Sequence, residues 1–78
     1  MTTLDRLNDV FREVFDDDNM SVTRATSAST VEGWDSITHV TLMVNVEKAF
    51  GIRFSSAQIA SLKNVGELVD LIETKTKA

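Results

Sequence analysis

Apolar residues near the start of the chain recur at three- and four-residue steps, and this spacing constrains the fold more than any other feature. Charged side chains fill the intervening positions, which is the pattern of an amphipathic helix with one buried face. Thr2 or Thr3 can cap its start, and the polar run 16–19 favours a turn that ends it. The predicted buried face consists of Leu4, Leu7, Val10, Phe11, Val14 and Phe15.

A second helix is predicted from Asp35 or Ser36 to Phe50, because Gly51 is a favoured residue just past a helix C-terminus. Its apolar residues are too many to lie along one narrow stripe of the helix surface. A helix that is apolar on more than one side fills a core or leaves apolar surface for a partner, and in so small a domain we expect both. These positions are Ile37, Val40, Leu42, Met43, Val44, Val46 and Phe50.

Two capping boxes predict two more helices, a short one over 56–62 and a longer one over 65–74. The first box is Ser55-x-x-Gln58 and the second is Asn64-x-x-Glu67. The predicted fold class is therefore all-α, a small four-helix bundle of three longer helices and one short helix. We expect one domain over residues 1–78, with 75–78 as a frayed tail.

Residues 20–34 are rich in serine and threonine and lack sustained periodicity, so they predict a long loop between the first two helices. A connection of this length is uncommon unless it is functional or packs on itself. We therefore expect an ordered loop with one short helical turn. The apolar residues expected to hold it to the core are Met20, Val22, Ala25, Ala28 and Val31.

Composition argues against several classes of function. The chain has no cysteine and one histidine, which disfavours disulfides and a metal site. Its net charge of −4 disfavours nucleic-acid binding, because phosphate-backbone affinity requires clustered lysine and arginine. No stretch approaches the roughly 20 apolar residues needed to span a bilayer, so membrane insertion is not expected. We expect a cytoplasmic monomer.

The segment Gly33-Trp34-Asp35-Ser36-Ile37, with Phe50-Gly51-Ile52 behind it, resembles the modification site of the acyl carrier protein family. The resemblance covers nearly the whole chain, including the helix order. It implies that Ser36 carries covalent 4'-phosphopantetheine, derived from coenzyme A, and that Asp35 is part of the signal read by the phosphopantetheinyl transferase. That transferase would provide Mg²⁺ and a general base while the Ser36 hydroxyl attacks the β-phosphate.

A carrier of this kind is a substrate of other enzymes and is not itself an enzyme. The thiol of the arm would carry acyl intermediates as thioesters between acyl-transferring, condensing or acyl-activating enzymes. Tethering raises the effective concentration of the cargo at each of them. The resemblance leaves open a specialised lipid or polyketide-like pathway and ordinary fatty-acid synthesis.

Helix two departs from the strongly acidic pattern of fatty-acid carriers. Thr38, Thr41, Asn45 and Lys48 stand where acids are common, so electrostatic docking should be weak and the specialised pathway is favoured. Trp34 also stands where those carriers have a small or aliphatic residue. We expect partner recognition through Ile37, Val40, Val44 and Glu47, with little dependence on salt.

The family holds its acyl cargo in a cleft between helices two and three, which implies a set of lining residues in this chain. The alternative for each is ordinary core packing. Phe54 is bulkier than the aliphatic residue usual there, which implies a short, polar or externally held cargo. The implied lining residues are Leu42, Val46, Phe50, Phe54, Ile59, Leu62 and Leu68.

Other interpretations of the same residues remain. Ser36 could be only a helix cap, and the domain an unmodified helical interaction module that binds a partner helix through Val40 and Met43. An aminoacyl or peptidyl carrier is a close alternative to an acyl carrier. A hydrolytic arrangement of Asp35, Ser36 and His39 is disfavoured, because the chain has no Gly-x-Ser-x-Gly elbow. We expect His39 to face solvent near the arm or to contact a partner, and Trp34 to pack the loop onto the fold.

Overall fold

The computed structural model describes residues 2–76 and contains helices and no strand in that part of the chain. In chain order the elements are α1 (Thr3–Phe15), a 3₁₀ turn (Ala28–Thr30), α2 (Ser36–Phe50), α3 (Ser56–Ser61) and α4 (Val65–Thr76). The predicted all-α fold class is confirmed, including the long loop before α2 and its short turn. No helix in the described residues is long and apolar enough to cross a membrane.

Local capping explains where α1 and α3 begin. The Thr2 hydroxyl accepts the Asp5 N–H at 3.1 Å, and the Asp5 carboxylate accepts the Thr2 N–H at 3.2 Å. Ser55 and Gln58 form the same reciprocal pair at the start of α3, which confirms the first predicted box. These side chains satisfy backbone donors that have no partner within the helix.

Only one of the two hydrogen bonds of the second predicted capping box, at the start of α4, is formed. The Asn64 side chain accepts the Glu67 N–H at 2.8 Å, but the Glu67 carboxylate accepts the N–H of Lys63 at 3.0 Å instead of that of Asn64. The boundaries also move slightly from the prediction, because α3 ends at Ser61 and α4 continues to Thr76. Lys75 and Thr76, predicted in the frayed tail, are thus helical, and Lys77 and Ala78 lie outside the described residues.

The core lies between α1, α2 and α4. The side chains with the largest volume that solvent cannot reach come from these three helices, whereas α3 contributes no buried residue. Burial of this apolar surface is the main stabilising term of so small a fold. The fully buried side chains are Leu7, Phe11, Leu42, Met43, Val46, Val65, Leu68 and Ile72.

Asn8, the buried polar side chain of α1, holds the long loop against the helix. Its Oδ1 accepts the Val22 N–H at 2.6 Å, and its Nδ2 donates to the carbonyls of Val22 at 3.1 Å and Leu4 at 3.0 Å. The Val22 side chain is buried. The expectation that five apolar side chains hold the loop to the core is therefore only partly correct, since Ala25 and Ala28 are exposed.

The same loop covers the start of α4. The backbone carbonyls of Thr26 and Arg24 accept the N–H groups of Val65 and Gly66, each at 2.8 Å. A Cβ at Gly66 would stand 3.0 Å from the Arg24 carbonyl oxygen, so a larger residue there would require the loop backbone to shift by a few tenths of an ångström. The loop therefore satisfies two donors at the start of α4.

Trp34 joins the end of the loop to the aromatic face of α1. Its ring meets the edge of Phe11 at a centroid distance of 5.3 Å and that of Phe15 at 6.4 Å, both close to perpendicular. Edge-to-face pairs at these distances are favourable. The predicted packing role of Trp34 is confirmed, and it fixes the residues that follow it at the start of α2.

Candidate functional site

The start of α2 divides two roles between adjacent side chains. Asp35 is the N-cap, and its carboxylate accepts the backbone N–H of Thr38 at 2.8 Å. Ser36 is the first helical residue and is exposed. Because Asp35 caps the helix, the Ser36 hydroxyl remains available for other chemistry at the positive end of the helix dipole.

The hydrogen bonds at this cap lower the pKa of Asp35 below its ordinary value of 3.8, first through the backbone N–H of Thr38 and second through the Thr38 side chain. A carboxylate that accepts backbone N–H groups is stabilised in its charged form. The folded pKa is thus below the unfolded pKa. The capping contribution of the charged group is therefore fully present above the unfolded pKa and is lost as the pH falls through the folded value.

Replacing the Asp35 carboxylate with an amide should remove this pH dependence, since asparagine also caps helices but carries no charge. We expect Asp35→Asn to lower the free energy of unfolding at about pH 6 and the deficit to narrow as the pH falls to about 3. Urea unfolding of the native chain and of Asp35→Asn across this pH range measures the difference in their free energies of unfolding. A deficit that stays constant to the lowest pH would contradict the assignment of the charged cap.

An open cavity of about 550 Å³ lies beside Ser36, between the start of α2 and the region of α3. Its lining mixes apolar and polar side chains. From the loop and α2 the lining includes Ala28, Trp34, Asp35, Ser36, His39 and Val40. From α3, the segment after it and α4 come Ile59, Ala60, Leu62, Lys63, Asn64 and Leu68.

The predicted cargo-lining residues separate into three groups. Ile59, Leu62 and the buried core residue Leu68 line the cavity, whereas Leu42 and Val46 are fully buried in the core and do not line it. Phe50 and Phe54 are half-buried and lie elsewhere: the Arg6 guanidinium lies 4.3 Å from the centre of the Phe50 ring, and the Lys75 ammonium 5.9 Å from that of Phe54. The structure therefore brings three of the seven predicted residues to the cavity beside Ser36.

Three of the four side chains predicted to meet partners form an exposed apolar strip on α2. Ile37 is 80% exposed, Val40 is 55% and Val44 is 41%. The fourth, Glu47, is half-buried, and its carboxylate accepts the backbone N–H of Phe54 at 2.8 Å. Glu47 thus fixes the segment that leads into α3, a role that its position in the sequence did not indicate.

His39 lies between α2, the loop and α3. The Trp34 indole N–H donates to His39 Nδ1 at 3.0 Å, and His39 Nε2 lies 3.0 Å from the carbonyl oxygen of Ile59. The side chain is half-buried, so the expectation that it faces solvent is wrong. Both ring nitrogens contact groups other than Ser36, which argues against the hydrolytic arrangement. Residues 2–76 contain no group of three acidic, histidine or cysteine side chains that could hold a metal.

Comparisons with known proteins bear on this site. A family model described as a phosphopantetheine attachment site matches residues 5–72. An acyl carrier protein of Porphyromonas gingivalis is 41% identical over 56 residues, which covers 72% of each chain. One from an Arthrobacter species is 42% identical over 38 residues, covering 49% of this chain and 47% of the relative.

A solved structure shares the fold. The solution NMR structure of holo acyl carrier protein from Geobacter metallireducens superposes with a TM-score of 0.88 and is 47% identical, covering 96% of this chain and 86% of that one. The likeness therefore extends over the long loop as well as the helices. With this match and a family model that spans most of its length, the chain belongs to the acyl carrier protein family, which is defined by a phosphopantetheine attachment site.

Proposed function

We propose that Ser36 is the attachment point of 4'-phosphopantetheine and that the chain thereby carries acyl groups between enzymes. The observation that supports this most is the division of roles at the start of α2. A serine that served only as a cap would accept the N–H two or three residues on, but the Asp35 carboxylate accepts that of Thr38. The Ser36 hydroxyl is exposed and can enter the site of another enzyme.

The residues around Ser36 fit such a group. The N-terminus of α2 favours a phosphodiester, because the first N–H groups of a helix have no acceptor within it and the dipole is positive there. The cavity beside Ser36 is lined by apolar side chains, including Trp34, Ile59 and Leu62, and by the polar side chains of Lys63 and Asn64. When bound, phosphopantetheine supplies a thiol that holds an acyl group as a thioester.

Ser36 supplies the nucleophile for attachment, and a transferase supplies the rest of the catalytic machinery. Its Oγ forms a bond to the β-phosphorus of coenzyme A, while the bond from that phosphorus to the oxygen of the departing adenosine 3',5'-bisphosphate breaks. The Ser36 proton passes to the general base of the transferase. Asp35 keeps the start of α2 in place through its bond to Thr38.

The experiment is an intact-mass measurement before and after incubation with coenzyme A, Mg²⁺ and a broad-specificity phosphopantetheinyl transferase. We expect the native chain to gain one phosphopantetheine and Ser36→Ala to gain none. If several transferases leave the folded native chain unmodified, the exposed apolar strip on α2 would instead support an unmodified interaction module.

We propose that acyl-handling enzymes and the transferase contact the exposed strip formed by Ile37, Val40 and Val44. Apolar side chains this exposed next to a functional serine offer area that can be buried against a partner. The cargo proposed is the acyl intermediate of a specialised lipid or polyketide-like pathway, since the strip and the weakly charged surface of α2 do not suit strongly basic partners. Loading by an adenylating enzyme with an amino acid would instead identify an aminoacyl carrier.

Replacing Ile37 with serine should weaken docking without unfolding the chain, because the side chain is 80% exposed. We expect the KM of the chain in the transferase reaction to rise about tenfold and kcat to change little. The native rate should fall less than about tenfold between low and physiological salt. An unchanged KM for Ile37→Ser, or a steep salt dependence, would contradict apolar docking. Glu47→Gln is a poor probe here, since it also alters the bond to Phe54.

A further inference from the structure

The chemistry of its neighbours fixes the proton position on His39. An indole nitrogen can only donate, so His39 Nδ1, which lies 3.0 Å from Trp34 Nε1, accepts and carries no proton. A backbone carbonyl can only accept, so His39 Nε2, which lies 3.0 Å from the Ile59 oxygen, carries the proton and donates. The neutral ring thus connects the loop to α3, and it also stacks near the Trp34 ring at a centroid distance of 5.9 Å.

The helix that His39 contacts is held by the bond from His39 and by the partly buried Ile59 side chain, which packs against the core. α3 spans six residues and has no buried side chain. The last four carbonyls of a helix have no partner within it, and the Ile59 carbonyl is one of these in α3. Within residues 2–76, the bond from His39 is the hydrogen bond that joins α2 to α3 directly.

The position of α3 determines how deep the cavity beside Ser36 can become. Ile59 and Leu62 line it from α3 and the segment after α3, and Trp34 and His39 line it from the loop and α2. Leu42 and Val46 of α2 are fully buried in the core and do not line the cavity. A displacement of α3 away from α2 would break the bond from His39 and extend the cavity toward the core.

We propose that His39 is a positioning residue that, together with Trp34, latches α3 against α2 and so keeps the acyl cargo in the surface cavity instead of between α2 and the core. This inference rests on the proposed function only for the presence of the cargo. The latch itself is a property of the unmodified chain and can be tested there. It makes His39 a determinant of which cargo is shielded and which remains accessible to partners.

The first experiment compares backbone amide exchange in the unmodified native chain, His39→Phe and His39→Gln. Phenylalanine keeps a ring to stack on Trp34 but cannot bond, whereas glutamine keeps one acceptor and a donor. We expect exchange at Ile59 and Ala60 to quicken about tenfold in His39→Phe, with α1 and α4 unchanged, and to be partly restored in His39→Gln. The Trp34 indole N–H resonance should move in His39→Phe. Unchanged exchange in α3, or equal acceleration in all helices, would overturn the latch.

In the second experiment, the transferase attaches octanoyl-phosphopantetheine from octanoyl-coenzyme A to the native chain and to His39→Phe. We expect the methyl resonances of Leu42 and Val46 to move little on loading of the native chain and clearly on loading of His39→Phe. Equal shifts in both loaded proteins would overturn the role of His39 in placing the cargo, while leaving Ser36 as the attachment point. If neither protein is loaded, the proposed function fails, and the amide-exchange experiment alone decides whether the latch exists.

Discussion

Changing Asn8 to aspartate is expected to lower the free energy of unfolding by about 3 kcal/mol at neutral pH, because it replaces a buried donor with a charged acceptor. Asn8 is only 8% exposed, and its Nδ2 donates to the carbonyls of Leu4 and Val22. A carboxylate would place negative charge against both oxygens. The bond from the Val22 N–H could persist, since aspartate also accepts.

Acid should partly rescue this variant. Burial and the two nearby carbonyls disfavour the charged form, so the pKa of the introduced carboxyl is higher in the folded state than in the unfolded state. A group of this kind favours folding most at low pH, and its contribution is lost as the pH rises through the folded pKa. The deficit of Asn8→Asp relative to the native chain should therefore shrink as the pH falls from about 7 to about 4, as measured by urea unfolding.

Asn45→Asp is the matched control. Asn45 Nδ2 also donates to the carbonyl four residues earlier, that of Thr41, but it makes no bond to the loop. The same chemical change there should cost less than about 1 kcal/mol. If Asn8→Asp and Asn45→Asp were equally stable, the attachment of the loop through Asn8 would not contribute to the stability of the fold.

The helices were predictable because their determinants are local. Thr2, Asp35 and Ser55 lie immediately before the helices that they cap, and Gly51 adopts the positive φ of 66° that glycine tolerates after a helix. Asn8 carried a recognisable signal as well. It interrupts the apolar face of α1 four residues after Leu4 and three before Phe11, and a polar side chain there must find a partner.

The contacts of Glu47 and His39 could not be predicted in the same way. Their partners, Phe54 and Ile59, lie in or beside α3, seven and 20 residues further along the chain. No spacing rule connects a helix to a backbone group that only the tertiary fold brings near. Glu47 therefore read as a surface charge and His39 as a solvent-facing residue.

The sequence also could not show which aliphatic residues would line the cavity and which would be buried in the core. Leu42 and Ile59 are both aliphatic residues on helices, yet one is fully buried and the other lines an open cavity. The difference arises because Leu42 belongs to the buried cluster to which α1, α2 and α4 contribute, whereas α3 contributes no buried side chain. Periodicity indicates which residues face the interior of the fold. It does not indicate whether such a residue packs against other side chains or lines an open cavity.

Ser36→Ala is expected to abolish loading while leaving the fold intact. The side chain is exposed and Asp35 provides the cap, so the free energy of unfolding should change by less than about 0.5 kcal/mol. Thr41→Ala is the matched control. Thr41 is also an exposed hydroxyl on α2, and its hydroxyl donates to the Ile37 carbonyl. We expect Thr41→Ala to load fully, and its failure to load would indicate that α2 itself, and not the Ser36 hydroxyl, is being tested.

The location of the added group on the native chain tests the central claim most directly. Fragment mass spectrometry of the transferase-treated protein should place a single phosphopantetheine on Ser36, with Thr38 and Thr41 unmodified. A phosphopantetheine on any other residue, or none on a chain whose helical circular dichroism is intact, would contradict the assignment of Ser36 as the attachment point.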